Sequence, residues 1–357
     1  MTSTPTDSPD TPVASAPSVP GATVLCSGDV YSSVDPFATA IAFDGPTVTW
    51  VGSDEAAAEI AGDHVDLGED FVAPGFVAAG LDLREGAATA GTTAGALVSR
   101  GIVGAHVIGT PEAVATFTAD APAGFETVAY VLAGASENGA EGVPTDAGAD
   151  SRLAAPVAAL DRSALPARPV FVLVDTDADL GALLDLLGDA SVRTHFQRSG
   201  YRVLLGSGIP TEAVDVLAAS GVPLTLDPKA HGLPLAALFS AGAQITFALD
   251  VESPWSTLSA AVFGPGDGVS ARAAFNAVTR FAHRAVGRFD GGVLAPGASA
   301  SMNRWVAADL VVQVADERLA AWSTDPRSGT PGLPDLSDPQ KLPQLRSVWV
   351  QGTRVLG

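Results

Sequence analysis

The chain has 357 residues, of which 47% are apolar, and its formal net charge is −21. This length and apolar content suit one or two folded domains with a sizeable core, and they exclude a chain that is disordered throughout. Such an acidic balance opposes binding to nucleic acid or to anionic membranes, since basic residues mediate both. The single cysteine, Cys26, excludes an intrachain disulfide and a zinc site built from cysteines.

The first twenty residues are rich in Ser, Thr, Pro and Asp. They carry too little apolar surface to offset chain entropy, so we predict a disordered tail over residues 1–20 rather than a signal peptide. No run of about 18 apolar residues follows, so no membrane span is predicted. A cytoplasmic location is the expectation.

Short strands are predicted at both ends of the chain. ATVLCSGDVYS and ATAIAFDGPTVTWVG resemble paired strands, and Asp44-Gly45-Pro46 supplies a turn inside the second run. A β-rich pattern returns towards the C-terminus in RSVWVQGTRVLG. We therefore predict one small β-sandwich domain built from residues 21–74 plus 291–357.

Between these ends, strand-like and helix-like runs alternate. About seven strands can be counted, and RPVFVLVD has the continuous apolar run of a strand that is buried on both faces. Such alternation favours a parallel sheet with crossover helices. The fold class is α/β, and we predict a TIM-like (β/α)8 barrel over residues 75–290, shortened and with one strand not located.

Several segments, taken in order, resemble the amidohydrolase superfamily, and within it the amidohydrolase family 3 or imidazolonepropionase-like branch. They are ATAIAFDGPTVTWVG, FVAPGFVAA, AGAQITFALD, SARAAFNAVTRFAHRAVGRFDGGVLAPG, ADLVVQ and VWVQGTRVLG. The resemblance implies a TIM-like barrel with a composite β-sandwich. It also implies one or two divalent metals that activate a water for hydrolysis of C–N bonds other than peptide bonds.

The resemblance predicts metal ligands at the ends of barrel strands, and most of these positions are altered. The first strand should end in His-x-His, but Gly80 and Asp82 stand there, and glycine has no ligand atom. A bridging lysine is expected on a middle strand, but no lysine precedes Lys229. Asp175 ends RPVFVLVD and is a candidate substitute, although capping of the next helix is the interpretation we favour.

Two further histidines are expected on the fifth and sixth strands, which we assign to YRVLLG and VPLTLD. Only His231 follows them, and for it a surface loop is the interpretation we favour over a site role. An aspartate after the last strand should serve as the proton-shuttling base, and Asp250 occupies that place, with a helix cap as the equal alternative. We expect His106 to be a hydrogen-bonded core histidine.

Two functions remain open, so the enzymatic status is undecided. The favoured one is an amidohydrolase-like protein that has lost its metal site and uses no cofactor, with a binding, regulatory or structural role. The alternative is an active hydrolase that holds zinc or another divalent metal through Asp82, His231 and Asp250, with Asp250 catalytic. A small-molecule ligand in the barrel mouth and a homo-oligomer are compatible with both.

Overall fold

The computed structural model describes residues 21–84, 92–133, 152–264, 267–311 and 331–357. The predicted tail over residues 1–20 lies outside the described residues. In chain order, the strands are β1 (Ala22–Cys26), β2 (Asp29–Val30), β3 (Ala40–Asp44), β4 (Thr47–Gly52), β5 (Gly62–Asp66), β6 (Phe71–Pro74), β7 (Phe76–Asp82), β8 (Ile102–Gly109), β9 (Glu126–Leu132), β10 (Arg152–Pro156), β11 (Val170–Val174), β12 (Arg202–Leu205), β13 (Leu224–Leu226), β14 (Ile245–Phe247), β15 (Met302–Val306), β16 (Leu310–Val311), β17 (Leu333–Pro334), β18 (Gln344–Val350) and β19 (Thr353–Leu356).

The helices are α1 (Asp54–Ala57), α2 (Ala94–Val98), α3 (Pro111–Thr118), α4 (Asp177–Leu187), α5 (Ala190–Ser199), α6 (Val214–Ala219), α7 (Leu235–Ser240), α8 (Pro254–Phe263), α9 (Ala271–Val278) and α10 (Arg280–Arg284). Most of the described helices follow strands of the barrel, whereas α1 packs on the sheet that contains β1 and β3. No described helix is both long and apolar enough to cross a membrane.

Strands from the two ends of the chain form two separate sheets that match the predicted β-sandwich. One sheet has the order β4-β3-β1-β5, and the other has the order β19-β18-β15-β6-β2. The second sheet joins both termini, because β6 pairs antiparallel with β15. The predicted hairpin between β3 and β4 is confirmed, and Gly45 takes the positive φ of 50° that its turn requires.

Eight parallel strands form a nearly closed barrel in the order β14-β13-β12-β11-β10-β9-β8-β7. The predicted fold class is therefore confirmed. The strand that the sequence did not reveal is β10, whose sequence RLAAP lacks a long β-branched run. A short 3-10 helix (Val157–Ala159), rather than an α-helix, follows β10 before β11 begins.

Apolar packing on both faces of the strands explains why the barrel forms. All five residues of β11 are buried, as its unbroken apolar sequence predicts. The helix that follows, α4, has Thr176 as its N-cap. The side chains of Thr176 and Asp179 form a capping box there. A separate apolar cluster fills the barrel interior, built from Ile108, Val128, Tyr130, Ala154, Phe171 and Leu173.

Candidate functional site

The extra strand moves the expected ligand positions by one strand. Counted from β7, the fourth strand is β10, so β11 is the fifth, β12 the sixth and β13 the seventh. Our assignment of YRVLLG and VPLTLD to the fifth and sixth strands is therefore wrong. Asp175 directly follows the fifth strand and Gly206 the sixth, whereas His231 follows the seventh.

At the mouth of the barrel, where the strands end, Arg84 lies between two aspartates. Its Nε donates to both carboxylate oxygens of Asp82, at 3.0 and 2.8 Å. Its Nη1 and Nη2 donate to Asp175 Oδ2 and Oδ1, at 2.7 and 3.0 Å. One guanidinium thus bridges the ends of the first and fifth strands with forked contacts to two carboxylates.

This bridge changes the interpretation of Asp175. Hydrogen bonds from Arg84 lower the pKa of Asp175, and they outweigh the opposing effect of burial. The helix-cap interpretation of Asp175 was wrong, because Thr176 caps α4 and the Asp175 carboxylate turns to Arg84 instead. The sequence could not reveal this pairing, since 91 positions separate the two residues.

Asp250 also has a cation beside it. Lys229 Nζ lies 2.5 Å from Asp250 Oδ2, and Asp250 Oδ1 accepts the backbone N–H groups of Glu252 and Ser253 at 3.0 and 3.3 Å. Burial alone would raise the pKa of Asp250, but these hydrogen bonds outweigh it and the net shift is downward. Asp250 therefore organises the turn that leads into α8 and is ionised at neutral pH.

The remaining candidates do not complete a ligand set. His231 is exposed in the segment between β13 and α7. Asp82, His231, Asp250 and His106 are not brought together, because the described residues contain no group of three or more His, Cys, Asp or Glu that could hold a metal ion.

Gly80 occupies a place with no room for a larger ligand. It lies where the pairing of β7 with β8 shifts register. A Cβ atom on Gly80 would lie 2.9 Å from Thr225 Cγ2 and 3.3 Å from Leu204 Cδ1. Side chains of the sixth and seventh strands thus fill the space into which a histidine at this position would extend.

Below this level, a fully buried arginine crosses the barrel interior. Arg202 Nη1 donates to His106 Nδ1 at 2.8 Å, and its Nη2 donates to Ala79 O at 3.0 Å and Thr225 Oγ1 at 3.2 Å. Its guanidinium carbon also lies 4.5 Å from the centroid of the Phe171 ring. Arg202 therefore links strands β7, β8 and β13 from its own position on β12.

His106 is buried as predicted, but it is not fully hydrogen-bonded. Burial and the neighbouring charge of Arg202 hold its pKa well below the ordinary value, so the ring is neutral. Because Nδ1 accepts from Arg202, the ring proton lies on Nε2, which has no hydrogen-bond partner among the described residues. Sequence analysis missed Arg202 altogether, since an arginine at the start of a predicted strand is usually exposed.

Taken together, these residues do not fit a divalent metal. Zinc sites use three or four closely placed histidine, cysteine or carboxylate ligands. Here Asp82, Asp175 and Asp250 are already paired with Arg84 or Lys229, and Gly80 offers no ligand atom. An ion could bind only after displacing these side chains.

The comparison with solved structures found proteins of similar fold. The structure is similar to an atrazine chlorohydrolase from Arthrobacter aurescens complexed with zinc (TM-score 0.61, 15% identity, 94% of this chain and 95% of that one). It is also similar to a zinc-bound adenosine deaminase from Xanthomonas campestris (0.62, 14%, 94% and 92%) and to N-isopropylammelide isopropylaminohydrolase from Burkholderia multivorans (0.60, 15%, 94% and 98%).

These solved structures are amidohydrolase-superfamily members, and at this identity the likeness shows a shared fold. No model of a known protein family matches the sequence, and no curated protein matches it. The imidazolonepropionase-like branch stays a prediction.

Proposed function

We propose that this protein is a binding protein on an amidohydrolase-like fold and that it has lost metal-dependent hydrolysis. One observation carries the proposal: at the mouth of the barrel, side-chain cations already pair with the three carboxylates that a metal would need. Arg84 contacts Asp82 and Asp175, and Lys229 contacts Asp250. A divalent ion would compete with both cations for the same oxygen atoms and would be repelled by their charge.

The composition of the mouth also supports binding rather than hydrolysis. Metal-dependent hydrolysis requires an ion that lowers the pKa of a bound water and polarises the scissile bond. A set of aspartates without nearby histidines selects weakly for zinc. The charged side chains at the strand ends could instead hydrogen-bond to a small polar ligand, and such a ligand is the occupant we propose for the mouth.

The direct test combines metal content with catalysis. The protein is purified without chelator, its metals are measured by mass spectrometry, and it is assayed against panels of amides, esters and lactams. We expect substoichiometric metal and no turnover beyond that of D250A. Stoichiometric zinc or manganese, with turnover that D250A abolishes, would establish the alternative of an active hydrolase of C–N bonds. Zinc in two of the similar structures supports that alternative.

A second experiment tests the cause. R84M keeps much of the side-chain length but frees Asp82 and Asp175 from their shared cation. We expect R84M to bind Mn²⁺ with a dissociation constant on the order of millimolar, whereas the wild type shows no saturable binding. R198M, which removes an exposed arginine from α5, is the matched control. Equal Mn²⁺ affinity in the wild type and R84M would remove the basis of the proposal.

A further inference from the structure

A cavity lies at the end of the barrel opposite the mouth, where the strands begin. Its volume is about 590 Å³, which is in the range of small-molecule sites. Residues at or just before the starts of successive strands line it, and the segment that ends α10 forms another wall: Arg152, Pro169, Tyr201, Pro223, Gln244 and Arg284. We call this cavity the base cavity.

The lining of the base cavity is cationic although the chain is acidic. The whole chain has 40 acidic and 19 basic residues, yet the described residues of the lining include Arg152 and Arg284 and no aspartate or glutamate. Neither arginine forms an ion pair with a described residue. Guanidinium groups with free donors, in a concave site, suit a carboxylate or a phosphate.

A third positive charge lies behind this lining. Tyr130 borders the base cavity, and the guanidinium carbon of the fully buried Arg202 lies 5.9 Å from its ring centroid. Arg202 Nε has no hydrogen-bond partner among the described residues, and no carboxylate pairs with this side chain there. Burial lowers the pKa of Arg202, Tyr130 opposes this shift, and repulsion from the charge of Arg152 adds to it. An anion in the base cavity would relieve this repulsion.

The rim of the base cavity indicates what accompanies the anionic group. Gln197 Nε2 donates to Ser220 O at 2.6 Å, and Gln244 Nε2 donates to Gly221 O at 3.1 Å. Both amides are thereby oriented, and each keeps its side-chain oxygen as an acceptor. Pro169 and Pro223, which are both partly exposed, supply apolar surface between these polar groups, whereas Tyr130 and Tyr201 are each only 1% exposed.

We propose that the base cavity binds a small organic anion, a carboxylate or a phosphate monoester with a flat apolar body, through Arg152 and Arg284. The anionic group pairs with the two guanidiniums and the body packs on Pro169 and Pro223. This site goes beyond the function proposed for the mouth and does not depend on it, because the two lie at opposite ends of the strands. Metal at the mouth and anion at the base are therefore measured separately.

The test compares ligands of one shape that differ in charge. Benzoate and phenyl phosphate carry the two anionic groups on one ring, and benzamide is the neutral counterpart of benzoate. We expect saturable binding of at least one anion by isothermal titration calorimetry, weakened by added salt, with benzamide at least about tenfold weaker. The tighter of the two anions identifies which anionic group the cavity prefers.

Variants assign the binding to the two arginines. R152M and R284M should each weaken anion binding about tenfold, whereas R284K should retain part of it and R198M should change it less than about twofold. Thermal unfolding verifies that each variant is folded. Three results would overturn the proposal: no saturable binding of either anion up to about 10 mM, benzamide binding equal to that of benzoate, or unchanged anion affinity in both R152M and R284M.

Discussion

The two ends of the barrel differ in the charge of their side chains and in whether those side chains form ion pairs. At the mouth, Asp82, Asp175 and Asp250 each have a basic side chain within 2.7 Å, although Arg84 and Lys229 together balance only two of the three negative charges. At the base, Arg152 and Arg284 line a cavity that contains no carboxylate. Three carboxylates of the mouth are thus already paired within the protein, whereas the base is complementary to a ligand that brings its own negative charge.

The difference shows why strand-end position alone does not locate a site. In TIM barrels the site is ordinarily built at the C-terminal ends of the strands. Here Asp82, Asp175 and Asp250 form ion pairs at that end, and two arginines without an ion pair to a described residue lie at the N-terminal end. The predictions below test this contrast in order of expected effect.

The largest effect on stability is expected from replacing Arg202, the buried arginine in the barrel interior. R202A removes donors from Ala79 O, His106 Nδ1 and Thr225 Oγ1 and leaves a cavity between strands. Relief of the buried charge offsets part of the loss, and we expect the free energy of unfolding to fall by about 2–4 kcal/mol. Urea denaturation measures it. An R202A variant as stable as the wild type would show that Arg202 does not hold the barrel together.

The next effect concerns the altered ligand position at the mouth. In G80A the new methyl group would lie 2.9 Å from Thr225 Cγ2, and Thr225 cannot turn freely because its hydroxyl contacts both Arg202 and Thr246. We expect a loss of about 1–3 kcal/mol in unfolding free energy. The matched control is G181A in α4, where an added Cβ meets nothing within 4 Å. G181A should stabilise by up to about 1 kcal/mol, and equal effects of the two changes would contradict the packing described at Gly80.

A smaller effect on stability is expected from the ion pair between Arg84 and Asp175 at the mouth. Its dependence on pH separates it from other contributions. Because Arg84 lowers the pKa of Asp175, the ionised carboxylate stabilises the fold near neutral pH, and this stabilisation is lost as the pH falls below about 4. Partial exposure limits the ion pair to about 1 kcal/mol. R84M should therefore be slightly less stable than the wild type at pH 7, and the difference should shrink at pH 3. A difference that is constant with pH would rule out the ion pair as its cause.

The smallest effect is expected at Lys229. Its side chain is 39% exposed and that of Asp250 is 33% exposed, so solvent screens the pair. K229M should cost about 0.5 kcal/mol or less. D250A should cost more, about 1 kcal/mol, because it also removes the acceptor for the backbone N–H groups of Glu252 and Ser253. Thermal unfolding of the two variants at equal pH compares them, and a larger loss in K229M would show that the ion pair outweighs the turn.

Local patterns identified the elements whose residues interact mainly with their own surroundings. The buried run in β11 and the Gly45 turn were recognisable because an apolar stretch and a turn residue act over a few positions. The strand β10 was not recognisable, because RLAAP has a weak β pattern and gains its place only by pairing with β9 and β11. Missing it shifted every later strand assignment by one.

The sequence by itself determined the α/β alternation, the β-rich ends and the scarcity of metal ligands, since these depend on which residues are present and on short-range periodicity. Only the tertiary structure decided that Arg84 would join Asp82 to Asp175, that Arg202 would cross the barrel, and that Arg152 and Arg284 would share a cavity. The reason is physical: charge pairing and packing act through distances in space, and barrel closure brings together side chains that lie tens of positions apart in the chain.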